Sequence, residues 1–150
     1  MSTAYRTIPV VALLSLIMVA SSALAADVWE YFSVQSALES PLAKERLDPS
    51  IAIYMKGQKR PSASGETGDF TANKRARKLG KSAEGACQNA FISALLAFQQ
   101  RADKEGRNTV IDLYSITKDK RFESTSQYSC LVGGMMANVA LRGKVANIGE

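Results

Sequence analysis

The sequence contains no histidine and only two cysteines, and both shortages restrict the chemistry that the chain can perform. Histidine is the commonest general base, a frequent zinc ligand and the usual partner of a nucleophilic serine or cysteine. Two cysteines without histidine cannot build a zinc site within one chain. The absence of a C-x-x-C motif argues against a thiol–disulfide oxidoreductase. We therefore expect no metal site, no cofactor and no catalytic residues.

Long apolar runs are also scarce, and the single one lies at the N-terminus. Residues 8–20 are almost entirely apolar, Arg6 is the only charge before Asp27, and the small residues Ala23 and Ala25 follow. The run is shorter than the roughly 20 residues that span a bilayer, and an A-x-A pattern follows it. This predicts a signal peptide at residues 1–25, cleaved near Ala25/Ala26, rather than a membrane anchor. No cysteine follows for lipid attachment, so a periplasmic or secreted protein without a membrane span is expected.

The mature chain would hold residues 26–150, enough for a single domain with a modest core. The formal net charge of +5 falls to +4 because the cleaved segment carries only Arg6. Such a mild excess permits attraction to polyanions but does not indicate nucleic-acid binding.

Cys87 and Cys130 are the two cysteines. In an oxidising compartment, two cysteines in a small domain are typical of one structural disulfide. Two buried free thiols, or a redox-active or intermolecular pair, are the alternatives.

The clearest element is a helix over residues 83–105. Its apolar residues recur at spacings of three and four, which is the period of one helix face; they are Ala83, Ala86, Cys87, Ala90, Phe91, Ala94, Leu95, Phe98 and Ala102. Ser82 is the expected N-cap and Gly106 the expected stop.

The remaining segments predict short strands around this helix. Residues 27–35 form a short strand or an apolar flap, a short helix follows Ser36 as N-cap, and residues 51–55 and 108–116 form strands. Residues 126–148 form one or two strands, with Gly133-Gly134 at a bulge or turn. The predicted class is α+β: one long helix packed on a small, mostly antiparallel sheet, with an irregular N-terminal part. Residues 27–81 would be a variable N-terminal portion, and 82–148 the disulfide-stapled core.

Basic residues concentrate before the long helix. Residues 56–69 hold three glycines and Pro61 and predict a mobile loop. The basic side chains that follow are Lys74, Arg75, Arg77, Lys78 and Lys81. Two interpretations are open: a solvated edge that discourages strand pairing, or an anion-binding surface that includes Ser82 and the helix N-terminus.

Gly80-Lys81-Ser82 matches the end of a nucleotide-binding P-loop. A P-loop also needs glycine five residues before Gly80, so that backbone N–H groups can curl around phosphate. Arg75 occupies that position, within the bulky and charged stretch RARKLGKS. An ATPase is therefore not expected.

The stretches ACQNAF, LLAFQQRA and YSCLVGGMMANVALRG form a recognisable pattern over residues 84–148. It resembles a family of small secreted bacterial proteins of unknown activity, sometimes labelled "excinuclease ATPase subunit". More distantly, the layout is similar to the sensor lipoprotein of the Rcs envelope-stress pathway and to a small heavy-metal-binding βαβ family. The sensor has two disulfides and a lipidated cysteine, which this chain lacks. The resemblance implies an envelope-related fold and no particular chemistry.

These observations favour a non-catalytic binding or interaction module whose partner is an unknown envelope protein, glycan or anionic lipid. One alternative is a homo-oligomeric structural protein that pairs through VWEYF or LVGGMMANVAL. A carboxylate-based envelope enzyme is the other. Its candidate groups would be Glu84, Asp112, Glu123, Lys81 and Tyr128.

Overall fold

A computed structural model describes residues 26–149, so the predicted signal peptide lies outside the described residues. The strands are β1 (Val28–Ser33), β2 (Ala52–Met55), β3 (Ala63–Ser64), β4 (Phe70–Arg77), β5 (Thr109–Ser115), β6 (Gln127–Val132) and β7 (Met136–Ile148). The helices are α1 (Val34–Glu39), α2 (Pro41–Arg46) and α3 (Ala83–Lys104), and a 3₁₀ turn covers Thr117–Asp119. The α+β class is confirmed.

The 13-residue strand β7 organises the sheet. Leu141 on β7 pairs with Ala72 of β4 and also with Ser115 of β5, so these two strands lie along opposite edges of β7. Strand β6 also pairs with β7, β1 pairs with β6, and β2 pairs with β5. The resulting strand order is β1-β6-β7-β5-β2. The β2–β5 pair is parallel and the other pairs are antiparallel, as the prediction of a mostly antiparallel sheet requires.

Helix α3 packs against one face of this sheet. Ser82 caps it by accepting a hydrogen bond from the Gly85 amide, and Gly106 follows it with φ +64. A left-handed conformation suits glycine, which has no Cβ to clash with the backbone. The predicted cap and stop are thus confirmed, and the helix ends at Lys104 with Glu105 as its C-cap.

The core fills the space between α3 and the sheet. Val139, Leu141 and Val145 of β7 are fully buried there, as the period-two pattern predicts. Phe91 of α3 stacks on Tyr128 of β6, with ring centroids 3.9 Å apart. A disulfide joins Cys87 to Cys130 across the same layer, so the predicted structural pair is present.

The N-terminal part is more regular than expected. Ser33, and not Ser36, caps the first helix, because the Ser36 amide donates to the Ser33 hydroxyl. The predicted single helix is two helices, since Ser40 is extended before Pro41 and caps α2. The ring of a proline disfavours helical conformation in the residue before it.

The glycine-rich segment 56–69 is tied to the sheet at several points. It contains β3, which pairs with the end of β7. Gln58 hydrogen-bonds the Met55 amide and the Thr125 carbonyl, and the Thr67 amide donates to Val145. The segment therefore forms hydrogen bonds to the sheet at several points, and its mobility stays a prediction.

Candidate functional site

The basic segment after residue 69 is an edge strand, β4, and strand geometry divides its charges between two faces. Ala72 and Ala76 are buried beneath α3, and Lys74 lies on that same side. Arg75 and Arg77 point to the outer face of the sheet, opposite α3. The predicted anion-binding residues therefore do not form one cluster.

The other members of that predicted set lie in the loop between β4 and α3. The Lys78 amide donates to the Met135 carbonyl, and the Lys78 Nζ donates to the Gly133 carbonyl, 3.2 Å away. The Ser82 hydroxyl accepts a hydrogen bond from the Gly85 amide and so caps α3. Lys81 forms no ion pair with another residue of the described range 26–149. Lys78 joins the β4–α3 loop to the β6–β7 turn.

Two apolar side chains protrude where these loops meet. Leu79 is 90% exposed and Met135 is 81% exposed, with Met136 beside them at 39%. We call Leu79, Met135 and Met136 the apolar tip. They line a hollow of about 480 Å³ together with Arg77 and Gly134. Gly133 and Gly134 lie in the connection between β6 and β7, where the sequence predicts a bulge or turn, and the Gly133 amide donates to the Met136 carbonyl.

A second feature lies on the outer face. A hollow of about 210 Å³ lies between β4, β7 and the 3₁₀ turn, and we call it the outer cleft. Its lining residues are Thr71, Asn73, Arg75, Ile116, Lys118, Asp119, Asn138, Ala140 and Arg142. An adjoining hollow of about 280 Å³ shares Arg75, Lys118 and Asn138 with it. Sequence reasoning identified only Arg75 among these residues.

Two of the three carboxylates considered for catalysis, Asp112 and Glu123, are engaged in ion pairs. Asp112 lies 3.6 Å from Arg60, and Glu123 lies 3.0 Å from Lys56 and also pairs with Arg121. Hydrogen bonds from Lys56 and Arg121 lower the pKa of Glu123, which keeps it ionised and unsuited to donate a proton. Burial, with a smaller contribution from Glu84, raises the pKa of Tyr128 and keeps the phenol neutral. Within residues 26–149 there is no cluster of three metal-ligating side chains.

The comparisons with known proteins add no relative. Neither the family models, nor the curated proteins, nor the solved structures contain a match for this chain. The family resemblance therefore stays a prediction. Among the helices of residues 26–149, none has the length and apolar character needed to cross a membrane.

Proposed function

We propose that this protein is a non-catalytic binding module of the periplasm or cell exterior that docks on an anionic lipid surface of the envelope. The observation that carries the proposal is the pair Leu79 and Met135, which protrude side by side at 90% and 81% exposure. Isolated exposed apolar residues are common on proteins, whereas apolar side chains next to Lys and Arg are the combination with which amphipathic surfaces bind anionic lipid.

The charges around the tip suit an anionic surface. Arg77, Lys78 and Lys81 flank Leu79, and none of them has a carboxylate within salt-bridge distance among the described residues. A basic side chain near an anionic bilayer contributes about 1 kcal/mol. Burying one leucine-sized side chain contributes about 1.5–3 kcal/mol. Together these contributions support reversible binding that needs both the apolar tip and the charges.

The loops that carry the apolar tip are already held in place in the unbound protein. Lys78 ties the two loops together through its amide and its ammonium group, so little backbone freedom remains to be lost on docking. The disulfide supports an oxidising compartment, where such a surface would face lipid headgroups.

Sedimentation with lipid vesicles tests the proposal. We expect binding to vesicles with about one third phosphatidylglycerol, weak binding to neutral phosphatidylcholine, and loss of binding as salt screens the charges. Leu79→Ser with Met135→Ser should weaken binding at least tenfold.

Two lysines at opposite ends of α3 provide a matched control. Lys81 precedes the N-terminus, whereas Lys104 lies in the last turn and is exposed. Lys81→Gln should weaken vesicle binding, and Lys104→Gln should not. Equal effects of the two variants, or no binding to anionic vesicles, would refute the proposal. A dimer in light scattering that the Leu79/Met135 double variant abolishes would instead assign the tip to self-association.

A further inference from the structure

The outer cleft brings together three cationic side chains from three elements: Arg75 from β4, Lys118 from the 3₁₀ turn and Arg142 from β7. The Arg142 Nε donates to the Thr71 hydroxyl at 3.0 Å, which fixes the direction of the guanidinium group. Within the described part of the chain, no carboxylate lies within salt-bridge distance of any of the three. Their charges are therefore available to a ligand.

A buried acceptor lies in the floor of the cleft. Asn138 is 6% exposed, and its Nδ2 donates to Asn73 Oδ1 and to the Lys74 carbonyl, 3.0 Å away. The Lys74 carbonyl can only accept, so it fixes which end of the amide is the donor. The opposite end, Oδ1, has no hydrogen-bond partner among residues 26–149. Leaving a buried acceptor unsatisfied is unfavourable, and a donor on a ligand would satisfy it.

The turn over the cleft is held in an unusual conformation. Lys118 and Asp119 both have positive φ, at 51° and 58°. Non-glycine residues rarely adopt such angles, because Cβ then approaches the following carbonyl oxygen. The turn is secured by β7, where the Ala140 amide donates to the Thr117 hydroxyl and the Ala140 carbonyl accepts from Ile116. The fold thus fixes Lys118 and Asp119 at the rim.

We propose that the outer cleft binds a phosphate monoester carried on a hydroxylated group, of the sugar phosphate class. The three cationic side chains and the carboxylate of Asp119 give the cleft a net charge of +2. This matches a phosphate monoester, which carries nearly two negative charges at pH 7. Arginine side chains match phosphate oxygens with paired donors. Asn138 Oδ1 and the Asp119 carboxylate accept hydrogen bonds from the ligand hydroxyls, with the rim side chains moving aside to uncover Oδ1. This proposal does not depend on the proposed lipid docking, because the outer cleft and the apolar tip are formed by different residues.

Calorimetry with glucose 1-phosphate tests the charges of the cleft. Adjacent residues of β4 supply the matched pair: Arg75 faces the cleft, and Lys74 lies on the opposite face of the sheet. Arg75→Gln and Arg142→Gln should each weaken binding at least tenfold, and Lys74→Gln should leave it within twofold. Equal weakening by all three, or no binding to the unsubstituted protein, would overturn the proposal.

Competing ligands test the role of Asn138. Glucose 1-phosphate should bind more tightly than inorganic phosphate, and glucose alone should not bind. Asn138→Ala should remove the preference over inorganic phosphate; if this variant does not fold, the arginine variants still decide the matter. A preference that persists in folded Asn138→Ala would contradict the assigned acceptor.

A phosphate monoester also occurs on a lipid, in the headgroup of phosphatidic acid, but without free hydroxyl groups beside it. Vesicles of phosphatidic acid in phosphatidylcholine, titrated against Arg75→Gln and Lys74→Gln, distinguish the sources. Cleft-dependent binding of vesicles but not of the free sugar phosphate would overturn the sugar phosphate assignment and give the cleft a lipid phosphate as its ligand instead. Vesicle binding that responds only to Leu79 and Met135 would leave the cleft without this role.

Discussion

At the scale of single residues, Gln99 shows how a polar group can stabilise a core. It is 3% exposed and lies on α3, beneath the connection between α2 and β2. Its Oε1 accepts from the Asp48 amide at 2.8 Å, and its Nε2 donates to the carbonyls of Asp48 and Ile51 at 2.8 and 3.1 Å. One side chain therefore satisfies three backbone groups of a chain segment that has no strand partner there.

We expect Gln99→Leu to lower the free energy of unfolding by about 2–3 kcal/mol, because it leaves those backbone groups unsatisfied. Urea denaturation measures the loss. Gln100→Leu is the control, since Gln100 is exposed and the change should stay within about 0.5 kcal/mol. Equal stability of the two variants would show that the Gln99 hydrogen bonds contribute nothing net.

At the scale of elements, β4 shows where sequence reasoning stops. Only Ala72 and Ala76 mark its buried side after Phe70. Alanine carries little strand preference, so the alternation is too weak to recognise. The helix 83–105 and the strand through Val139 and Leu141 were predictable because larger apolar residues repeat along them.

The disulfide belongs to the same scale, since it joins α3 to β6 across 43 residues of chain. Closing a loop of that length removes unfolded-state entropy worth about 4 kcal/mol in the chain-entropy model. We expect Cys87→Ala with Cys130→Ala to be less stable by roughly that amount in urea denaturation. A reductant should destabilise the unsubstituted protein and leave the double variant unchanged. Identical unfolding of the oxidised and reduced protein would contradict a stabilising role.

At the scale of the whole molecule, the sequence predicts the fold class but neither the outer cleft nor the apolar tip. Helix and strand periods indicate α+β, because they are local in sequence. The outer cleft depends on the register that sets Arg75 opposite Asn138, and on the positive φ of Lys118 and Asp119, which are non-glycine residues without a turn signature. The apolar tip depends on two loops meeting through Lys78. Contacts between segments far apart in the sequence cannot be predicted from the residue pattern of each segment alone.

The predicted cleavage between Ala25 and Ala26 lies before the first strand of the sheet. Edge strand β1 begins at Val28 and pairs with β6 over six residues, from Val28 to Ser33. Cleavage between Ala25 and Ala26 would leave this strand complete, whereas cleavage beyond Val28 would shorten the sheet. The start of the mature chain stays a prediction.

Intact mass of the protein from a periplasmic extract tests this start and the state of the cysteines together. Both cysteines are fully buried, so alkylation must be done in denaturant, with and without prior reduction. We expect the mass of residues 26–150, with two alkyl groups added only after reduction. A full-length mass, or thiols that react without reduction, would contradict export with an oxidised pair. It would also remove the compartment in which an anionic envelope surface is the natural partner, because a reducing cytoplasm keeps such thiols free.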